Sequence, residues 1–252
     1  PVEQPLKIGD ASFLDAITRL KADALVVAAY GKIIPQSLLD IPALGAVNVH
    51  PSLLPKYRGP APIQWALIEG EPETGVTIIQ LNAQMDAGDI LLVEQTPIAP
   101  EETAESLHER LSGMGARLLV KTLDGLAGGT ITPQPQDHEQ ATLAPILKKS
   151  DGHLDWQLDA QTLVRRIRAL NPWPGTVAFY GKNRLKILRA SALTRPCDAL
   201  PGTVVQGFEG ELRVATGKGL LLIESVQGAS GKRLTIGDYL RGHAMPPGTR
   251  FE

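Results

Sequence analysis

Cysteine is nearly absent from this sequence, since the 252 residues include only Cys197. A single thiol excludes an intramolecular disulfide framework and a cysteine-based zinc cluster, and it suits a reducing compartment. Long apolar runs are also missing, because the run at 24–30 is far too short to cross a bilayer. We therefore expect no contact with a membrane, and a location in the bacterial cytosol or an organelle matrix.

Several common catalytic motifs are missing as well. No Gly-x-Gly-x-x-Gly, phosphate-binding loop, His-Glu-x-x-His or Gly-x-Ser-x-Gly occurs, and the five histidines show no spacing typical of metal ligands. The sequence therefore predicts neither a nucleotide-binding loop nor a serine hydrolase. It also predicts that no metal is required.

The small net charge of −2 conceals an asymmetry along the chain. Residues 1–150 hold 18 acidic and 11 basic side chains, whereas residues 151–252 hold 9 acidic and 14 basic ones. Such a division indicates two modules with different partners. The proline-containing polar stretch after the last helix of the first half predicts domains at 1–132 and 151–252, joined by a linker at 133–150.

Helix and strand patterns alternate in the first half. Helices are predicted at 10–20, 62–69 and 103–126, and strands at 24–30, 44–49, 76–81 and 90–93. The continuous apolar run at 24–30 predicts a strand buried on both faces. This alternation predicts an α/β fold with a Rossmann-like, doubly wound and mostly parallel sheet.

The second half has a different pattern. One amphipathic helix at 158–170 precedes five short strand patterns, at 176–180, 184–188, 202–206, 211–216 and 219–226. Short strands at this spacing predict a small antiparallel barrel of the OB type.

One polar cluster is dense enough to suggest chemistry. Asn48 and His50 lie two residues apart at a predicted strand end, so their side chains point to the same side. Asp86 follows another strand in a glycine-containing turn. An amide and an imidazolium stabilise an oxyanion, and a carboxylate holds the imidazole charged and assists proton transfer, so the set suits acyl transfer to an amine. The spacing alone equally permits a structural histidine and an aspartate that caps a turn.

The surrounding residues resolve this choice through a resemblance. The segment Asn48-Val-His-Pro-Ser-Leu-Leu-Pro-Lys-Tyr-Arg-Gly59, with Gly75-Val-Thr77 and Met85-Asp-Ala-Gly88, resembles the 10-formyltetrahydrofolate-dependent formyltransferases. Further motifs resemble the branch of that family that formylates initiator methionyl-tRNA in translation initiation. They are Leu154-Asp-Trp156, Arg168-Ala-Leu-Asn-Pro-Trp-Pro-Gly175 and Gln227-Gly-Ala-Ser-Gly-Lys232.

The resemblance implies a role for each residue of the cluster. Asn48 would bind the formyl oxygen, His50 would stabilise the oxyanion, and Asp86 would tune His50 and assist proton relay. The folate co-substrate, 10-formyltetrahydrofolate, would lie against Ser52, Leu53, Leu54 and Pro55. Arg58 either lies near that site or is a surface residue paired with an acidic neighbour.

The basic second half would bind the initiator tRNA in this family, and we expect a monomer. Candidate contacts are Lys148, Lys149, Arg165, Arg166, Lys182, Lys186 and Arg189. Two alternatives stay open from the sequence. The chain is either a related formyltransferase that acts on a small amine, such as glycinamide ribonucleotide or a nucleotide-linked amino sugar, or a non-catalytic RNA-binding protein.

One departure from the family concerns the start of the chain. The family fold begins with βα units and a basic loop that the resemblance places before Pro1. A catalytic domain without them leaves a strand edge exposed. We therefore expect this chain by itself to be inactive or nearly so.

Overall fold

The computed structural model describes residues 2–229 and 231–252. Pro1 and Ser230, which lies within the Gln227–Lys232 motif, are outside the described residues. The chain divides into two compact units. The first contains the residues up to 66 together with 72–99 and 107–146, and the second contains 67–71, 100–106 and 147–252.

The chain through residue 127 alternates helices and strands close to the predicted positions. The elements in chain order are α1 (Ala11–Leu20), β1 (Leu25–Val27), α2 (Gln36–Leu39), β2 (Ala46–His50), α3 (Pro62–Glu69), β3 (Glu73–Gln80), β4 (Ile90–Pro97) and α4 (Ala104–Ala127). Four apolar residues at helical spacing along α4 are buried: Leu107, Leu111, Met114 and Leu118.

The four strands form one sheet in the order β1-β2-β3-β4. This confirms the α/β, Rossmann-like class, but the expectation of a mostly parallel sheet is wrong. Of the strand pairs described in this sheet, β1–β2 is parallel, and β2–β3 and β3–β4 are antiparallel. The short connection between β3 and β4 makes a hairpin, which requires antiparallel pairing.

Strand β1 also differs from its prediction of burial on both faces. It is three residues long, and Val26 at its centre is 42% exposed. The sheet order places β1 at an edge, where it pairs with β2 on one side. An apolar run does not reveal by itself whether its strand is central or peripheral, because both positions favour β-branched residues.

The second unit is built on antiparallel strands around one amphipathic helix. Its elements are α5 (Ala160–Leu170), β5 (Thr176–Tyr180), β6 (Asn183–Leu193), β7 (Val204–Val205), β8 (Leu212–Ala215), β9 (Leu220–Gln227), β10 (Arg233–Thr235) and α6 (Ile236–Leu240). The strand order is β5-β6-β9-β8-β7, and β10 pairs with β9. Leu163 and Ile167 on α5 pack into the core of this curled sheet.

The segment after α6 connects the two ends of that sheet. Phe179 of β5 exchanges two backbone hydrogen bonds with Glu252, at 3.3 and 2.8 Å. On the other side, the amide of Val204 in β7 donates to the carbonyl oxygen of Thr249 at 2.8 Å. The sheet therefore curls until residues 249–252 lie between its first and last strands.

Candidate active site

Strand β2 carries two of the predicted site residues on one side. Asn48 pairs with Val27 and Ile79 of the neighbouring strands, and His50 is the last residue of β2, opposite Thr77. Because side chains alternate along a strand, Asn48 and His50 point the same way. His50 is only 3% exposed, whereas Asn48 is half-buried.

The turn between β3 and β4 brings Asp86 to the end of β2. The backbone of Asp86 is left-handed, with φ of 49°, and Gly88 approaches so closely that an added Cβ would lie 1.7 Å from the carbonyl oxygen of Gln80. Only glycine permits that approach. The sharp turn presents the Asp86 carboxylate to the two side chains of β2.

The three predicted residues meet in one cluster. The amide nitrogen of Asn48 donates to Oδ1 of Asp86 over 3.4 Å, and Nδ1 of His50 lies 3.6 Å from Oδ2. The backbone N–H of Gly59 also donates to Oδ2, at 2.8 Å. Asp86 is therefore held by the strand on one side and by the loop after β2 on the other.

The environment of His50 favours a neutral imidazole. Its Nε2 lies 2.9 Å from the carbonyl oxygen of Tyr57, which only accepts, so Nε2 carries the proton. Burial lowers the pKa of His50 below its ordinary value of 6.5, although the nearby Asp86 and the Tyr57 carbonyl act to raise it. Desolvation thus outweighs the attraction of Asp86, which runs against the expectation that Asp86 keeps the imidazole charged.

The predicted folate-lining loop is rigid. Thr77, fully buried on β3, accepts from the amide of Leu54 and donates to the carbonyl oxygen of Ser52, and the Leu54–Pro55 peptide bond is cis. Ser52 and Leu54 are buried, whereas Leu53 and Pro55 are partly exposed. The side chains that a ligand can reach on this loop are therefore those of Leu53 and Pro55.

Arg58 is not the surface residue that was one of the two possibilities for it. It is 9% exposed, and its guanidinium donates to Oε1 of Gln136 at 3.1 and 2.6 Å and lies 3.0 Å from Nδ1 of His138. It is therefore buried and bonded to an amide and an imidazole. Gln136 was missed by the sequence analysis because it lies in a polar, proline-containing stretch, where nothing in the pattern separates a buried glutamine from an exposed one.

The second unit brings three positive side chains together on neighbouring strands of its sheet. Arg184 and Lys186 lie two residues apart on β6, and Lys186 and Arg233 both lie opposite Gln227 on β9. Burial lowers the pKa of Lys186, and the charges of Arg233 and Arg184 lower it further. Lys186 was a predicted contact, whereas Arg184 and Arg233 were not.

Other predicted cations are held by local partners. Arg165 donates to the carbonyl oxygen of Ile68, and Arg166 to that of Asp151, both at 3.1 Å. Arg189 lies 2.7 Å from Glu224. Lys148, Lys149 and Lys182 are exposed.

Two features are absent from the described part of the chain. No group of three or more His, Cys, Asp or Glu side chains is placed to hold a metal ion in residues 2–229 and 231–252. No helix over the same residues has the length and apolar character needed to cross a membrane.

Comparison with known proteins agrees with this fold. Residues 4–123 match the formyl transferase family model, and residues 146–244 match the model for the formyl transferase C-terminal domain. The chain therefore belongs to the formyl transferase family, a family of enzymes.

The curated relatives that are similar to this chain include methionyl-tRNA formyltransferases. The chain is 44% identical over 249 residues to the methionyl-tRNA formyltransferase of Syntrophus aciditrophicus, covering 99% of this chain and 80% of that protein. It is also 44% identical to the methionyl-tRNA formyltransferase of Trichlorobacter lovleyi, of which it covers 78%.

Solved structures show the same fold at lower identity. HypX from Aquifex aeolicus, solved in complex with tetrahydrofolic acid, matches 90% of this chain with a TM-score of 0.67 at 20% identity. The chain spans 40% of the length of HypX. An N-formyltransferase from Helicobacter canadensis matches 76% of this chain with a TM-score of 0.60 at 19% identity.

Proposed function

We propose that this protein transfers the formyl group of 10-formyltetrahydrofolate to the α-amino group of methionine on initiator tRNA. The observation that carries the proposal is the joining of Asn48, His50 and Asp86 at the end of β2, in a chain 44% identical to curated methionyl-tRNA formyltransferases. The product would be N-formylmethionyl-tRNA, the substrate of translation initiation.

The reaction needs an oxyanion donor and a path for one proton. The amine nitrogen attacks the formyl carbon, and the carbonyl π electrons move onto oxygen to give a tetrahedral oxyanion. The oxyanion then collapses, the bond to N10 of the folate breaks, and N10 takes up a proton as the amine loses one. Donors aimed at the developing oxyanion lower this barrier.

Asn48 is suited to stabilising the oxyanion by a hydrogen bond. One N–H of its amide points at Asp86, and the second N–H is the donor that we assign to the formyl oxygen. The contact with Asp86 fixes the amide rotamer, so that little reorganisation is needed when charge develops.

His50 and Asp86 are suited to transferring the proton. With hydrogen on Nε2, the neutral imidazole accepts the proton of the attacking amine at Nδ1, and the Asp86 carboxylate stabilises the imidazolium that results. The imidazolium then gives up this proton, which N10 of the folate takes as its bond to the formyl carbon breaks. For Nε2 of His50 to donate to the oxyanion, the oxyanion must replace the carbonyl oxygen of Tyr57 as its acceptor. The 2.9 Å contact with Tyr57 would thus be exchanged when substrate binds.

The loop beside this cluster offers a surface for the folate. The two Thr77 hydrogen bonds fix the loop, and the partly exposed Leu53 and Pro55 give it an apolar surface. Ser52 and Leu54 support the loop from within. A rigid apolar wall orients a flat ring without loss of side-chain freedom.

The second unit supports the choice of tRNA as the acceptor. The cluster of Arg184, Lys186 and Arg233 gives a surface for a phosphate backbone, which a small amine does not require. We infer that this curled antiparallel unit is an OB-like domain that holds the tRNA.

A comparison of acceptors tests the proposal. Purified protein in excess is mixed with labelled 10-formyltetrahydrofolate and one of three acceptors: initiator methionyl-tRNA, glycinamide ribonucleotide or a nucleotide-linked amino sugar. Single-turnover conditions reveal transfer even where turnover is slow. We expect slow transfer of label to the tRNA, in keeping with the nearly inactive chain expected from the sequence, whereas preferential labelling of a small amine, or tRNA binding with no transfer within a single turnover, would contradict the proposal.

A further inference from the structure

The buried amide of Gln136 makes four hydrogen bonds next to the proposed catalytic cluster. Its Nε2 donates to the carbonyl oxygens of Asp86 at 2.9 Å and Gly88 at 2.7 Å, and its Oε1 accepts twice from Arg58. All donors and the acceptor are therefore in use. Because the two ends of the amide meet opposite partners, the network defines its orientation.

Arg58 stands between two residues that contact the cluster directly. The carbonyl oxygen of Tyr57 accepts from His50, and the N–H of Gly59 donates to Asp86. The bond from Arg58 to Gln136 therefore links the loop that holds His50 to the turn that carries Asp86. Burying a guanidinium is costly unless its donors are satisfied, and here an amide oxygen and an imidazole nitrogen accept from it.

These contacts form a closed ring. It runs from His50 through Tyr57 to Arg58, across to Gln136, on to Asp86, and back over the 3.6 Å gap to His50. We propose that Gln136 is a positioning residue that sets the separation of Asp86 from His50, an inference that rests on the proposed function. Arg58 orients the amide, and the amide holds the turn.

The backbone at Asp86 explains why such a clamp is needed. Asp86 has φ of 49°, a left-handed conformation that a non-glycine residue keeps only where its surroundings hold it. Gln136 donates to the carbonyl oxygens of Asp86 and Gly88, the residues on either side of Ala87. Without them, the turn is expected to relax, and the carboxylate moves away from the imidazole.

The experiment replaces Gln136 by a side chain of similar size that lacks the amide, Gln136→Met. The matched control is Gln134→Met, because Gln134 lies on the same segment with an exposed side chain. Formyl transfer is measured as kcat and KM for the formyl donor. We expect kcat to fall about 100-fold while KM stays within about twofold, because a displacement of about 1 Å costs that much in rate without removing donor contacts.

A second measurement follows His50 itself by NMR titration of its imidazole. Asp86 is the charged group in contact with this ring, and the Arg58 guanidinium is turned toward Gln136. Moving the carboxylate away removes an influence that raises the pKa of His50, so Gln136→Met should lower that pKa further. Gln134→Met should leave both the titration and kcat as in the wild type.

A third variant, Gln136→Glu, separates the two ends of the amide. It keeps an acceptor for Arg58 but sets a carboxylate oxygen against two carbonyl oxygens, so we expect it to lose rate as Gln136→Met does. If Gln136→Met fails to fold by circular dichroism, Gln136→Glu is judged by the same two measurements.

The outcomes distinguish this inference from the proposed function. A folded Gln136 variant with wild-type kcat and an unchanged His50 titration overturns the positioning role. Asp86→Asn is the reference: loss of transfer there without loss in the Gln136 variants counts against Gln136 alone. Full transfer by Asp86→Asn counts against the role of Asp86, whereas absence of transfer by the wild-type protein to any acceptor counts against the proposed function itself.

Discussion

Nδ1 of His50 lies 3.6 Å from Oδ2 of Asp86, yet the pKa of this histidine is lowered. Burial removes water from the imidazole, and this loss destabilises its charged form more than the attraction of the carboxylate stabilises it. The pair therefore holds a neutral base beside an anion at neutral pH. This balance has consequences for stability that can be measured without substrate.

Stability should fall at mildly acidic pH because of His50. As the pH drops through 6.5, the unfolded chain takes up a proton at this residue before the folded chain does, so the free energy of unfolding decreases. In His50→Gln, this contribution to the slope, which approaches about 1.4 kcal/mol per pH unit, should disappear. Urea unfolding at a series of pH values measures it, with His108→Gln, an exposed histidine on α4, as control. If the free energy of unfolding changes with pH in the same way in wild type and His50→Gln, burial does not lower the pKa of His50.

Loss of the Asn48 amide should slow formyl transfer. Removing one oxyanion donor typically costs about 100- to 1,000-fold in kcat, so we expect Asn48→Ala to fall in that range. The measurement is single-turnover transfer to initiator methionyl-tRNA. Asn82→Ala is the matched control, because Asn82 is exposed in the β3–β4 connection and bonds to the amide of Gln84. Equal rates for both variants would remove Asn48 from the mechanism.

A methyl group at Gly75 should destabilise the first unit. A Cβ there would lie 2.3 Å from the carbonyl oxygen of Glu94 and 2.5 Å from Cδ2 of Leu53. Either the sheet or the folate-lining loop must shift, at a cost of about 1–3 kcal/mol in unfolding free energy. Chemical unfolding of Gly75→Ala measures this. Gly9→Ala, whose Cβ would meet only Pro35 at an ordinary 3.7 Å, should be nearly neutral; a neutral Gly75→Ala would disprove the crowding argument.

The basic cluster of the second unit should contribute to tRNA affinity. Replacing Arg184, Lys186 and Arg233 by Ala should weaken binding and flatten its dependence on salt, by about 0.9 in the log–log slope for each phosphate that the protein no longer neutralises. Filter binding over a range of salt concentrations measures both effects. Arg189→Ala is the control, because Glu224 already offsets this arginine. If the triple variant and Arg189→Ala bind tRNA with the same affinity and the same salt dependence, the tRNA binds elsewhere on the protein.

Much of this organisation could be predicted from the sequence. Apolar patterns located α3 at 62–69 and β5 at 176–180 with the bounds that the structure has. The proximity of Asn48, His50 and Asp86 was expected from strand alternation, a glycine turn and the family resemblance. These features depend on local geometry or on a motif.

What the sequence did not reveal depends on contacts between distant residues. The direction of β3 and the edge position of β1 follow from strand pairing, which apolar content does not encode. The protonation of His50 depends on how deeply tertiary packing buries it. Arg58 and Gln136 lie 78 residues apart, and only the fold brings the guanidinium to the amide.

The pairing of residues 249–252 with the first and last strands of the second unit, here called the seam, has a consequence for the rate of folding. Phe179 and Glu252 are about seventy residues apart, and pairings over such a distance form late because a long loop must be ordered first. During synthesis, β5 leaves the ribosome well before its seam partner has been translated. The nascent second unit therefore exposes an open strand edge until residue 252 emerges, an interval in which we expect a chaperone or a neighbouring nascent chain to compete for that edge.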